Sequence, residues 1–123
     1  MVKRDAPRYV PPGWPPEVNP PGSEDWETTA SAWLLDLVPE YRQHAAVRQH
    51  PVVLAFVARH QISGAVQGAR QGYRTTRSEL GEFAPPHVID AALRACRAEG
   101  QRLAATANAV NLVERALRGD GST

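Results

Sequence analysis

Residues 51–80 decide the fold of this chain, and they read PVVLAFVARHQISGAVQGARQGYRTTRSEL. Apolar or small side chains recur there in steps of three or four residues, at Ala55, Ala58, Ile62, Ala65, Ala69, Tyr73, Thr76 and Leu80. Such spacing keeps one side of a helix apolar over about eight turns. Pro51 suits the first position of a helix, and Gly81 suits the position just after its end. The stretch therefore predicts one long amphipathic helix.

A second long helix is predicted to follow at once. Pro86 can begin it and Gly119 can end it, with a matching apolar stripe between them at Ile89, Ala92, Cys96, Leu103, Val110 and Leu117. Each helix would be about 45 Å long at 1.5 Å per residue. The link over residues 81–85 is too short for anything but antiparallel neighbours. We therefore expect a long antiparallel helical hairpin.

The first fifty residues predict an arm and shorter helices. Seven of the eleven prolines fall in residues 7–22, which excludes a helix or central strand there and favours extended chain. The arm is expected to be ordered, because Tyr9, Val10, Trp14 and Val18 are apolar groups that need a docking place. Ser23, with two carboxylates after it, predicts a capped helix start.

These patterns predict an all-α fold with one or two short N-terminal helices packed on the hairpin and a proline-rich extended arm. The arm covers residues 1–22 and the helical domain residues 23–123, with helices over about 24–38, 40–49, 51–80 and 86–118. A hairpin alone buries little apolar surface. We expect the first helix to cover part of its seam, and a second copy of the chain, in a homodimer, to cover the rest.

Composition excludes several classes of protein. The 123 residues are 42% hydrophobic and 22% charged, with a net charge of +1, as expected for one globular domain without an obvious partner class. Cys96 is the only cysteine, which excludes an internal disulfide and a cysteine metal cage. No secretory leader is recognisable, and no apolar run reaches the roughly 20 residues of a membrane span. We expect a soluble cytoplasmic protein that binds no membrane.

No catalytic motif is present. His44, His50, His60 and His87 form no metal-binding pair, and we find no P-loop, no nucleotide-binding glycine motif after a strand and no nucleophile elbow. The sequence therefore predicts no metal, no cofactor and no catalytic residue. We expect that the protein is not an enzyme.

Charge is distributed in blocks. Six carboxylates and no Lys or Arg lie between Glu17 and Glu40, whereas six arginines and no carboxylate lie between Tyr41 and Ser78. Four of those arginines share one sector of the long helix and form the arginine ridge: Arg59, Arg70, Arg74 and Arg77.

Two interpretations of the ridge remain open. The favoured one is neutralisation within the fold, by the acidic first helix or by Glu99, because the total charge is near zero. Glu99 and Glu114 fall within the apolar stripe of the last helix, and a Glu99–Arg70 pair and a Glu114–Arg118 pair are predicted there in preference to a buried acid pair. The other interpretation is contact with the phosphates of a nucleic acid.

Three glycines lie at intervals of four residues inside the long helix, and we call them the glycine series: Gly64, Gly68 and Gly72. Each glycine costs about 1 kcal/mol relative to alanine in a helix, so three on one flank require an offsetting gain. Without Cβ atoms another backbone can approach closely. We predict a groove for a partner here, with Trp14 of the arm as a further contact residue; the arm or the first helix are the other candidates to fill it. Incidental glycines are the alternative.

The segments PPGW (11–14), WLLDL (33–37) and RQHPVVL (48–54) resemble small proteins of high-GC bacteria over most of the chain. This resemblance implies no activity. The sequence therefore favours a small cytosolic protein–protein interaction module, an adaptor or accessory subunit with an unidentified protein partner. The alternative is a nucleic-acid or ribonucleoprotein binder that uses the arginine ridge.

Overall fold

A computed structural model describes residues 10–119, so Tyr9 with the rest of residues 1–9, and residues 120–123 of the predicted helical domain, lie outside the described residues. The elements in chain order are α1 (Trp26–Leu37), a 3-10 helix (Pro39–Gln43), α2 (Ala45–Arg48), α3 (Pro51–Leu80) and α4 (Pro86–Leu117). No strand occurs within residues 10–119. The long helices α3 and α4 form an antiparallel hairpin, which confirms the predicted all-α fold class.

The chain divides into two compact units. In its described part, the first unit comprises residues 10–59 and 108–119, and the second comprises His60–Ala107. Both α3 and α4 contribute residues to each unit.

The first unit has a well-formed apolar core. Its largest fully buried side chains come from three different helices: Leu34 of α1 with Val38 just after it, Leu54 of α3, and Val110 and Val113 of α4. Trp14, Trp26 and Trp33 pack around this cluster. The apolar face of α1 thus covers the neighbouring residues of α3 and α4, as the sequence predicted.

Three Pro-Pro pairs shape the arm. Backbone hydrogen bonds close a turn over each pair, from Trp14 to Pro11 (3.0 Å), from Val18 to Pro15 (3.2 Å) and from Ser23 to Pro20 (3.1 Å). Proline keeps its carbonyl acceptor, and a second proline fits the next turn position because its φ is already fixed. Gly13 and Gly22 follow with φ of +92° and +83°, which type II turns require at that position. The arm therefore follows a defined path.

The predicted helix start at Ser23 is wrong. The Ser23 hydroxyl donates to the carbonyl oxygen of Pro20 and closes the third turn, so it is not available as a helix cap. Asp25 then adopts a left-handed conformation with φ of 63°, and α1 begins only at Trp26. The segment after α1 also differs from one continuous helix, because His44 is extended between the 3-10 helix and α2.

The second unit has a much thinner core. Its apolar cluster contains three buried side chains, Ile62, Val66 and Leu103, with partly buried alanines beside them. Because two helices meet along one line only, their remaining faces stay exposed. No helix within the described residues is long and apolar enough to cross a membrane.

Candidate functional site

An open cleft of about 350 Å³ lies between α3 and α4 in the second unit, and we call it the arginine cleft. Its floor consists of half-buried small residues, Ala69, Cys96 and Gly100. The rim consists of exposed residues from both helices: Arg70, Tyr73, Arg74, Arg97, Gln101 and Ala104. The cleft therefore combines a small, mostly apolar floor with a cationic rim.

Small residues bring the two helices close together at this cleft. A Cβ atom added to Gly100 would lie 3.7 Å from the Ala69 Cβ, and one added to Gly72 would lie 3.6 Å from the Cys96 Sγ. Both distances are ordinary van der Waals contacts, so only small side chains fit between the helices at this level. The floor is consequently set by the backbone and cannot be filled by its own side chains.

The three rim arginines have no carboxylate partner within residues 10–119. Arg70 and Arg97 take part in no ion pair there, and Arg74 donates to the neutral Oε1 of Gln71 at 2.8 Å. Two of the other arginines of the same unit are paired, since Arg77 reaches Asp90 at 3.2 Å and Arg102 binds Glu99, whereas Arg94 has no ion pair among the described residues. Positive charge is therefore left uncompensated around the cleft.

The arginine ridge does not act as one continuous charged row. Arg59 belongs to the first unit, where its Nε donates to Glu114 Oε1 at 2.6 Å, and Arg77 is paired with Asp90. Only Arg70 and Arg74 of the four lie at the cleft, together with Arg97 from α4. Arg97 was not among the predicted site residues, because residue spacing within one helix does not show which residues of two helices meet; aligning the two apolar stripes in antiparallel register would have placed Arg97 near Arg70.

The buried carboxylate of Glu114 is held by two arginines. Arg59 donates to Oε1, and Arg118 donates to Oε2 at 2.8 Å, so the predicted Glu114–Arg118 pair is confirmed. Burial alone would raise the pKa of Glu114, but the hydrogen bonds from Arg59 and Arg118 outweigh it and lower that pKa below its ordinary value. The guanidinium of Arg59 also lies 5.4 Å from the centroid of the Phe56 ring. This cluster stabilises the first unit.

The predicted Glu99–Arg70 pair is wrong. Glu99 instead accepts two hydrogen bonds from Arg102, three residues further along α4, and these bonds lower its pKa. Arg102 lies on the same helix as Glu99, so this pair forms whatever the register between α3 and α4. A pair with Arg70 of α3 would require one particular register. The favoured interpretation of the ridge, neutralisation within the fold, therefore holds for Arg59 and Arg77 and does not hold for Arg70.

The three residues of the glycine series have different surroundings. Nothing among the described residues lies within 4 Å of a Cβ added at Gly64 or Gly68, so neither the described arm nor α1 fills a groove there. Gly72, in contrast, faces Cys96 of α4, so the other hairpin helix, which was not among the predicted occupants of a groove, lies against this glycine. Trp14 belongs to the first unit, where its ring packs on Trp26 and its indole N–H donates to Val18. Whether a partner contacts these residues stays a prediction.

Large apolar side chains are exposed around the turn between α3 and α4. Phe83 is 80% exposed, Leu80 47% and Val88 43%, and these three positions lie within one short stretch of chain. Tyr73 at the cleft rim is 41% exposed. The second unit thus presents both an apolar turn and the arginine cleft.

The described residues contain no group of three or more His, Cys, Asp or Glu side chains placed to hold a metal ion. The cleft offers guanidinium groups that can bind an anion, an aromatic side chain and a small apolar floor. In comparisons with known proteins, no family model, no curated protein and no solved structure matches the chain.

Proposed function

We propose that this chain is a small cytosolic protein–protein interaction module, an adaptor or accessory subunit without catalytic activity, and that its partner docks on the second unit. The observation that carries the proposal is the exposure of Phe83, Leu80 and Val88 in a unit that buries only four apolar side chains, Ile62, Val66, Ile89 and Leu103. An aromatic side chain that is 80% exposed contributes almost nothing to its own fold. Exposed aromatic anchors are typical of protein interfaces.

The nucleic-acid alternative has weaker support. A phosphate-binding surface follows the backbone over several contacts, and two arginines of the ridge, Arg59 and Arg77, are already paired with carboxylates. Arg70 and Arg74 remain as candidates for phosphate contact. If they serve that purpose, binding to duplex DNA or structured RNA should weaken steeply with rising salt concentration.

Affinity purification from the native cell, with and without nuclease, tests the proposal. We expect a protein partner that survives nuclease treatment and is lost with Phe83→Ser. Val53→Ser is the matched control, because Val53 is also an exposed apolar residue, 44% exposed, but lies in the first unit. Recovery of nucleic acid alone, or equal recovery of the partner with both variants, would contradict the proposal.

A further inference from the structure

We propose that the arginine cleft binds an amphipathic helix of the partner protein, one that carries carboxylates beside its apolar stripe. This inference rests on the proposed function and names the chemistry of the partner. Its first support is charge. Three of the four exposed arginines of the second unit that have no carboxylate partner among the described residues, Arg70, Arg74 and Arg97, lie at this one cleft; Arg94 is the fourth.

Electrostatic complementarity therefore favours an anionic occupant. A guanidinium group matches a carboxylate with two parallel hydrogen bonds, so three such groups around one cleft can hold several carboxylates in register. Arg70 and Arg74 lie one turn apart on α3, and Arg97 lies on α4 across the cleft. Carboxylates on both flanks of one helix would match this arrangement.

The shape of the cleft favours a protein segment over a small molecule. Every residue that lines it is exposed or half-buried, so a small ligand would stay largely in water. Small-ligand sites instead enclose about 70–90% of their ligand. A helix that lies along the groove extends beyond the cleft at both ends, and the small side chains of Ala69 and Gly100 allow it to approach closely.

The same features argue against two other occupants. The phosphate backbone of a nucleic acid offers no apolar surface to the floor of Ala69, Cys96 and Gly100. A second copy of this chain, related by a two-fold axis through the cleft, would place its arginines against these arginines, and like charges in contact are unfavourable. An acidic amphipathic helix satisfies both the rim and the floor.

Site-specific photo-crosslinking on the full chain tests the inference. A benzophenone side chain replaces Gln101 at the cleft rim in one variant and Phe83 at the turn in another, and mass spectrometry identifies the crosslinked segment from the native cell. We expect the residue-101 probe to capture a helical segment with carboxylates beside its apolar stripe. Capture of nucleic acid, of a second copy or of a segment without carboxylates would overturn the inference.

The two probe positions separate the two claims. Capture of a protein at position 83 and none at position 101 would overturn the cleft inference and leave the proposed function standing. Capture of protein at neither position would contradict both.

A synthetic peptide of the captured segment then gives the quantitative test. Arg97→Glu should weaken its binding at least about tenfold, because it places like charges together. Arg115→Glu is the matched control: Arg115 is an exposed arginine on the same helix but in the first unit, and its reversal should leave the affinity within about twofold. The bound peptide should also slow alkylation of Cys96 in the cleft floor. Equal effects of the two reversals, or unchanged Cys96 reactivity, would overturn the inference.

Discussion

Replacement of Arg59 by methionine tests whether this arginine stabilises the folded chain. The change keeps an unbranched apolar stem near Phe56 and removes the hydrogen bond of 2.6 Å to Glu114, a side chain that is 5% exposed. A hydrogen bond to a charged group contributes about 1.5–3 kcal/mol. Arg118 still holds the other carboxylate oxygen, so the loss should stay below the 3–5 kcal/mol typical of a wholly unpaired buried charge. We expect Arg59→Met to lower the free energy of unfolding by about 1.5–3 kcal/mol at pH 7.

Urea denaturation followed by circular dichroism measures this loss at several pH values. Because the folded-state pKa of Glu114 is lowered, the stabilisation is present above the unfolded pKa of about 4.3 and disappears as the pH falls through the folded pKa. The stabilities of the wild type and of Arg59→Met should therefore converge in acid. Arg77→Met is the matched control, because its pair with Asp90 is exposed on both sides and should contribute less than about 1 kcal/mol. Equal losses for both variants at pH 7, or an Arg59→Met loss that persists in acid, would refute this reasoning.

Three further stability predictions concern the backbone and the arm. Gly68→Ala should stabilise the protein by up to about 1 kcal/mol, since alanine is the better helix former and nothing lies within 4 Å of the new methyl group. Gly13→Ala should destabilise the protein, because the φ of Gly13 is +92° and the added Cβ would lie 2.5 Å from the Asn108 Nδ2. The melting temperatures of the two variants should therefore shift in opposite directions, and a shift in the same direction would contradict the structure. Trp14→Phe should cost about 0.5–1.5 kcal/mol through the lost hydrogen bond to the Val18 carbonyl, and an unchanged urea midpoint would show that the arm is not held there.

The long helices could be predicted from the sequence because their signals are local. The apolar spacing within residues 51–80, with a proline before it and a glycine after it, requires no knowledge of any other segment. The residue at which α1 begins could not be predicted from such local signals. Ser23 has the chemistry of a cap, but the preceding Pro-Pro turn uses its hydroxyl, and that turn is a competing local structure.

The site was only half predictable, because it depends on which residues of two helices meet. Arg70 and Arg74 were found on one helix, whereas Arg97 required the register of the hairpin. Ion pairs were predictable where the partner is four residues away, as for Arg118 and Glu114, and were missed where a pair spans 55 positions, as for Arg59 and Glu114. Residue spacing within one helix does not distinguish an arginine that neutralises a buried carboxylate on another helix from an arginine that remains available for a partner.

Native-state hydrogen exchange tests the central claim, that the second unit is a surface completed by a partner. In the free chain, amides near Leu54 and Val113 should exchange slowest, through global unfolding, because they surround the large core of the first unit. Amides within His60–Ala107 should exchange through local opening at a lower free energy, because only four apolar side chains are buried there, Ile62, Val66, Ile89 and Leu103. Addition of the crosslinked partner segment should slow exchange around residues 69–74 and 96–104, which line the arginine cleft. Equal protection of both units in the free chain, with no change at these residues when the segment is added, would contradict the account.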